Sequence, residues 1–399
     1  MPVETHAEKR VVISGAGQSE VGRPSTKTAL QLTIDACSQA IREAGLKPSD
    51  IDGLTTYPGP MPEPKGFSPV GPTELMFSMG LNPSWVAAST DGHAHMGAIF
   101  SAIQAITSGM CKHVLIFRTV SQATVQVQAK TSAAQSNLMG RGSTRISGGM
   151  AWNVPFNAVS ATPMYALYAQ AYFSKYGATS EQLGAIAVNA RGMAALNPNA
   201  TLRKPLTIED YMASRFIATP LRLFDCDIPV DGSTALVLSH VDTIADLAQP
   251  PIRIESIGMS IGGFGIGLHQ GDFTTMASNK AGDMLWSRTD LKPADVDVAQ
   301  IYDGFSILTL MWMESLRLCG RGEAAAFVEG GTRIGLGGEL PLNTSGGQLS
   351  QGRLHGYGHT YEACVQLWGR AGDRQVKDAR VCAVANGGFG YGALLLRRD

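Results

Sequence analysis

Apolar positions alternate along the chain between two rhythms. Residues 10–17 (R-V-V-I-S-G-A-G) form a short β-branched run ending in glycines, which predicts a buried strand and a tight turn. Residues 28–44 then carry Leu30, Leu32, Ile34, Ala40 and Ile41 among polar residues, an amphipathic helix pattern that Gly45 stops. A strand is predicted at 54–57, an exposed Pro- and Gly-rich loop at 58–72, and a glycine-bearing loop entering a helix at 98–107. Residues 113–117 read as another buried strand. This is βαβ alternation.

Part of the pattern returns. L-K-P-S-D-I-D-G-L-T-T-Y at 46–57 is matched by L-K-P-A-D-V-D-V-A-Q-I-Y at 291–302, and 91–117 is echoed by 352–385, with Gly97 falling on Gly358 and Gly92 on Arg353. Two matches in one order predict a duplicated α/β unit, with parallel strands covered on both faces. Between the halves an insertion, about 119–219, has its own composition. Its start, 121–147, is rich in Gln, Ala, Ser and Gly and predicts a loop; further on, Tyr165, Tyr168, Tyr172 and Tyr176 share one helical face ending at Gly177. Such a stripe is more often core or dimer interface than a ligand platform. The run D-G-S-T-A-L-V-L-S-H then returns to a strand pattern.

Composition narrows the function classes. The 399 residues suffice for two core-bearing units, and a net charge of -1 gives no electrostatic reason to expect nucleic acid or an anionic membrane. No apolar run approaches the roughly 20 residues that span a bilayer, so a soluble, cytoplasmic enzyme is expected. Six scattered cysteines without C-x-x-C spacing predict buried thiols rather than a disulfide or zinc framework.

Candidate chemistry concentrates at residues 346–359, G-G-Q-L-S-Q-G-R-L-H-G-Y-G-H, which hold five of the 46 glycines and run into a helix pattern. Backbone freedom, titratable side chains and a helix start with unpaired N–H groups describe a site loop, although a polar surface turn has the same composition. The pairs His93-x-His95 and His355-x3-His359 invite a zinc reading. The first has no third ligand at sensible spacing, and Gly356 and Gly358 disfavour the helix that the second would need, so no metal is expected. The spaced glycines of 258–267 lack the helix and acidic partner of a nucleotide site.

These residues together resemble a known superfamily. D-C-D-I-P-V-D-G-S-T-A-L-V-L at 225–238, Y-D-G-F at 302–305 and N-T-S-G-G at 343–347 are similar to the thiolases of the sterol-carrier-protein-X or lipid-transfer type. The resemblance spans nearly the whole chain. It implies a layered α/β/α/β/α fold with an N-terminal half at 1–245, which contains the insertion, and a C-terminal half at 246–399. Its departures define the expected chemistry. The nucleophilic cysteine of a thiolase would fall near Gly92 in S-T-D-G-H-A-H-M-G, yet no cysteine lies between Cys37 and Cys111. The activating histidine falls on Arg353, and the late catalytic cysteine or histidine falls near Ala385 or Asn386.

One branch with this kind of loss, the steroid side-chain aldolases, resembles the chain in Tyr302-Asp303 and in His355. It carries a second tyrosine where Arg353 stands, for which Tyr357 is the candidate substitute. The implied activity is retro-aldol cleavage of a 3-hydroxyacyl-CoA thioester with a bulky, steroid-like acyl group. The competing class is a non-catalytic acyl-CoA or lipid carrier. Tyr302, oriented by Asp303 or with Asp303 ordering a neighbour, is the expected hydrogen-bond donor or base, with His355 its titrating partner. The N–H groups of Gly387 and Gly388, or those of the Gly346–Gly347 turn, are expected to hold the enolate oxygen, with Asn386, Gly92 and His93 nearby and His359 in second rank. Arg353 is expected to meet a CoA phosphate or carboxylate, or to form an ion pair. No permanently bound cofactor is expected, only coenzyme A as part of the substrate. The implied assembly is a homodimer joined by a small OB-fold, zinc-ribbon acyl-CoA-binding protein in a heterotetramer.

Overall fold

The computed structural model describes residues 6–61, 64–88, 96–131, 153–156, 158, 160–262, 272–388 and 390–399. Its strands are β1 (Val11–Gln18), β2 (Gly53–Thr56), β3 (Trp85–Ala88), β4 (His113–Ser121), β5 (Phe216–Ala218), β6 (Leu221–Arg222), β7 (Asp231–His240), β8 (Ile252–Ile261), β9 (Val298–Ile301), β10 (Val381–Asn386) and β11 (Gly390–Arg397). The helices that matter for the site are α1 (Ala29–Ala44), α2 (Pro72–Met79), α3 (Gly97–Thr107), α4 (Gln122–Thr131), α5 (Ala161–Tyr176), α6 (Ser180–Leu196), α7 (Ser278–Trp286), α8 (Ser306–Ser315) and α9 (Tyr357–Leu367).

Nine strands join in the order β3-β2-β4-β7-β1-β8-β11-β10-β9, while β5 and β6 form a separate hairpin. The duplication is visible in the pairing. β2-β4-β7-β1 are joined by a parallel then two antiparallel ladders, and β9-β10-β11-β8 repeat that sequence of pairings. The two sets meet along β1 and β8, where Val12 faces Arg253 and Ile13 faces Ile252.

Period-2 alternation sorts the strand side chains into layers. Leu115 and Phe117 of β4 pack outward against Ala36, Ala40 and Ile41 of α1, whereas Val114 and Ile116 face a central layer containing Ile99 and Ile103 of α3 and Ala363 and Leu367 of α9. On the far side Ala383, Ala385 and Leu395 meet Ile307, Leu310 and Met311 of α8, together with Tyr165, Tyr168 and Tyr172 of α5. The layers are therefore helix, sheet, helix, sheet, helix, as the resemblance implies. The tyrosine stripe is core.

Local signals set the ends of several elements. Thr28 Oγ1 accepts from the Gln31 N–H while Gln31 reaches back to the Thr28 N–H, and Gly45 closes α1 at φ 77°. Two expectations need correction and two elements were not anticipated. The loop predicted at 121–147 begins instead as α4, because the Asp231 carboxylate accepts from the Thr124 N–H and hydroxyl and stabilises the helix start. The segment 58–72 is not simply exposed: Ser68 and Val70 are buried, and Gly66 accepts from the Ser121 N–H at 2.8 Å, so the segment straps back onto β4. Finally α2 and β3, unread in the sequence, complete the sheet edge. Among the described residues no helix is long and apolar enough to cross a membrane.

Candidate active site

The site forms where the ends of β9, β10 and β4 meet the turn that leads into α9. Tyr302 directly follows β9. Asn343 from the N-T-S-G-G motif holds that strand end, its Oδ1 accepting from the Ile301 N–H at 2.7 Å and its Nδ2 donating to the Ile301 carbonyl at 2.8 Å. Asp303 is fully buried. Its Oδ1 accepts from the Gln348 N–H at 2.8 Å, Oδ2 from the Leu349 N–H at 3.5 Å, and Oδ1 also lies 3.1 Å from His359 Nε2. Asp303 therefore links the Gln348–Leu349 backbone to the His359 ring.

That arrangement explains the double glycine. Gly347 has φ 56°, and a Cβ there would stand 2.0 Å from Asp303 Oδ2. The carboxylate reaches the Gln348 and Leu349 amides only because position 347 has no side chain. The Gly346 N–H donates to the Asn343 carbonyl at 2.8 Å and the Gly347 N–H to Ser345 Oγ at 3.4 Å. This turn spends its amides internally, which corrects the second of the two alternatives expected for the oxyanion donors. Gly387 and Gly388 are anchored instead through their carbonyls, by Trp312 Nε1 at 3.1 Å and by the Tyr165 and Tyr391 hydroxyls at 3.0 and 3.2 Å.

Arg353 forms an ion pair. Its Nη1 lies 3.0 Å from Asp227 Oδ1 and its Nε donates to Gln122 Oε1 at 3.1 Å. The D-C-D-I-P-V-D-G run thus supplies a second site carboxylate that sequence reasoning quoted but did not assign. Asp227 is bound in by backbone bonds: its N–H donates to the Gly304 carbonyl, and the Ile228 carbonyl accepts from the Arg353 N–H. Burial pushes the Asp227 carboxyl up to about 6, against the pull of Arg353 and with a further push from Asp303. Burial, followed by Asp227, also raises the Tyr302 phenol above its ordinary value, and Arg353 and the Gln348 amide only partly offset this. The raised value favours the protonated phenol near neutrality.

His355 is buried and sits at φ 51°, a left-handed conformation unusual for a residue with a Cβ and typical of constrained sites. Its Nδ1 lies 3.0 Å from Nη2 of Arg118, and its ring is 4.4 Å from that of Phe67, edge on. Tyr357, the first residue of α9, is buried, and burial raises its phenol while Arg118 opposes the shift. Asn386 ends β10 with both amide atoms buried and without a hydrogen-bond partner among the described residues, pressed against Gly356 so closely that a Cβ there would stand 1.8 Å from its Nδ2. A buried amide left unpaired costs about 1–3 kcal/mol. It is the kind of group that a substrate oxygen satisfies. Gly92 and His93 lie outside the described residues.

The sequence reading missed Arg118, Asp227 and Phe67. For Arg118 a signal was present: it is the one charged side chain inside the buried run H-V-L-I-F-R-T-V-S of β4, where an arginine is almost never found without a task. Phe67 offered none, since only the strap brings it to the site.

Comparison with known proteins identifies the family. Residues 267–394 match the family model described as thiolase C-terminal domain-like. The chain is 32% identical to a steroid side-chain-cleaving aldolase from Thermomonospora curvata, with 97% of each chain covered. It is 31% identical to a 17-hydroxy-3-oxo-4-pregnene-20-carboxyl-CoA lyase from Mycobacterium tuberculosis, covering 97% of this chain and 99% of that one. Among solved structures, an aldolase complex designated Ltp2-ChsH2(DUF35) superposes with a TM-score of 0.85 at 30% identity, covering 98% of this chain and 99% of that chain. The chain therefore belongs to the thiolase superfamily. Within it, the relatives place the chain in the aldolase and sterol-carrier-protein branch.

Proposed function

We propose that the protein is a carbon–carbon lyase that cleaves a 3-hydroxyacyl-CoA thioester carrying a steroid or similarly bulky acyl group into a ketone and a shorter acyl-CoA. The observation that carries this reading is Tyr302 in the electrostatic neighbourhood of the Asp227–Arg353 ion pair, in a chain with no cysteine from residue 38 to 110. A retro-aldol step needs no nucleophile. Asp227 takes the β-hydroxyl proton, the freed electron pair forms the ketone carbonyl, and the Cα–Cβ bond breaks. Its electrons pass into the thioester as an enolate. Asn386 and His355 hold the enolate oxygen, Tyr302 returns a proton to the α-carbon, and Asp227 reprotonates Tyr302. Coenzyme A enters as part of the substrate.

A carboxyl of about 6 has the acid–base range that the first step requires near neutrality. Turnover is expected to rise with pH to a plateau above about 6 and to fall about 100-fold or more in Asp227→Asn. A variant retaining a third of wild-type turnover would remove Asp227 from the mechanism. The linkage to folding has the opposite slope. Because the folded-state value is raised, the contribution of Asp227 to stability is fully present below its ordinary 3.8 and is lost as pH rises through about 6.

The reading includes two halves divided near residue 245, a cytoplasmic location and an assembly. β3 is an edge strand with Val86 44% exposed, and Phe77 of the adjoining α2 is 85% exposed, which supports pairing with a second copy of the chain. Sedimentation at the 42.2 kDa mass of one chain would exclude the homodimer. The DUF35 protein named in the related complex supports a small acyl-CoA-binding partner in a heterotetramer. The test is ketone release from a 3-hydroxyacyl-CoA by the chain co-expressed with such a partner. Tight binding of several acyl-CoAs without turnover would instead favour a carrier.

A further inference from the structure

We propose that Arg118 is a positioning residue that holds His355 as a neutral imidazole with its proton on Nε2. Arg118 belongs to β4 and is 1% exposed, locked in register opposite Thr234 of β7. Its Nη1 donates to the Thr119 carbonyl at 2.8 Å and its Nη2 lies 3.0 Å from His355 Nδ1. Phe67 packs against both groups, its ring centre 4.9 Å from the guanidinium carbon and 4.4 Å from the imidazole centre. Among the described residues Arg118 makes no ion pair with a carboxylate, so a buried cation is directed at a histidine rather than at an anion.

The chemistry of the pair leaves one arrangement. A guanidinium has five N–H donors and no lone pair, so the ring nitrogen facing it must be the acceptor. Nδ1 therefore carries the lone pair, and the single proton of the neutral ring resides on Nε2. An imidazolium would set N–H against N–H beside a positive charge. Among the described residues the other titratable groups that act on the guanidinium are the phenols of Tyr357 on α9, Tyr57 after β2 and Tyr302 after β9, and a phenol in its neutral form does not remove that repulsion. The fixed φ of His355 and the Phe67 contact hold the ring against rotation.

The consequence, which rests on the lyase reading, is a division of labour. His355 serves the enolate oxygen as an Nε2–H donor, and the base role falls to another group. The tautomer itself can be read without substrate, so the two conclusions fail separately. The full-length protein labelled with nitrogen-15 in histidine is examined at pH 7 by long-range proton–nitrogen correlation, with His355 assigned through His355→Gln. The expected spectrum shows His355 Nδ1 as an unprotonated acceptor and Nε2 as protonated, a pattern kept in Arg118→Lys and shifted toward tautomer averaging in Arg118→Met. A wild-type His355 that is protonated on Nδ1, averaged or doubly protonated overturns the proposal. So does an Arg118→Met protein whose His355 pattern is unchanged. Should the methionine variant fail to fold, the wild-type and lysine spectra still decide.

Discussion

Replacing Tyr302 with Phe is expected to lower turnover of a 3-hydroxyacyl-CoA by about 100- to 10,000-fold, the range that a positioned proton donor contributes. The substitution deletes one oxygen from a half-buried ring and leaves the backbone bond from the Tyr302 N–H to the Ala385 carbonyl in place. Affinity for the acyl-CoA should therefore change only a few-fold, and the thermal midpoint hardly at all. Such a split, with kcat lost and binding kept, marks an interaction made in the transition state. The measurement is single-turnover ketone release with acyl-CoA binding on the same preparations. Undiminished cleavage in the variant would take Tyr302 out of the reaction while leaving the lyase reading to be judged on the wild type.

A second large effect is expected at Gly347→Ala, for a different reason. The added methyl would meet the Asp303 carboxylate at 2.0 Å in a backbone held at φ 56°, so both sterics and conformation oppose it. Asp303 must then withdraw from the Gln348 and Leu349 amides and from His359, leaving a buried charge with fewer donors. A loss of about 3 kcal/mol in unfolding free energy is expected, together with loss of turnover. Gly80→Ala supplies the comparison. Gly80 also has positive φ, at 64°, but nothing lies within 4 Å, so only the conformational cost of about 1 kcal/mol remains. Equal losses at the two positions in denaturant unfolding would show that the Asp303 contact contributes nothing.

The strands and helices with clear periodicity were legible because burial of one face is written locally. The α1 boundaries, from the Thr28 cap to Gly45, could be read from adjacent residues. So could the repeat that places Gly53–Thr56 and Val298–Ile301 in equivalent ladders. α4 was misread because its start depends on Asp231, over a hundred residues away. The site divides in the same way. Tyr302, Asp303, His355 and Tyr357 stand out as titratable groups in glycine-rich or strand-end settings. Asp227 was hidden because an Asp in a turn-like run has ordinary local uses, and its value depends on the burial and the Arg353 contact that the fold creates.

By itself the sequence determined the α/β alternation, the duplication, the absence of a cysteine where a thiolase would need one, and the loop in which the remaining titratable groups collect. These follow from periodicity and residue type, which are local properties. Only the tertiary structure decided what the groups do. It turned Arg353 into the partner of Asp227, gave the Gly346–Gly347 amides internal acceptors, and aimed Arg118 at His355. Hydrogen bonds and desolvation act over a few ångströms in space, and these partners lie far apart along the chain.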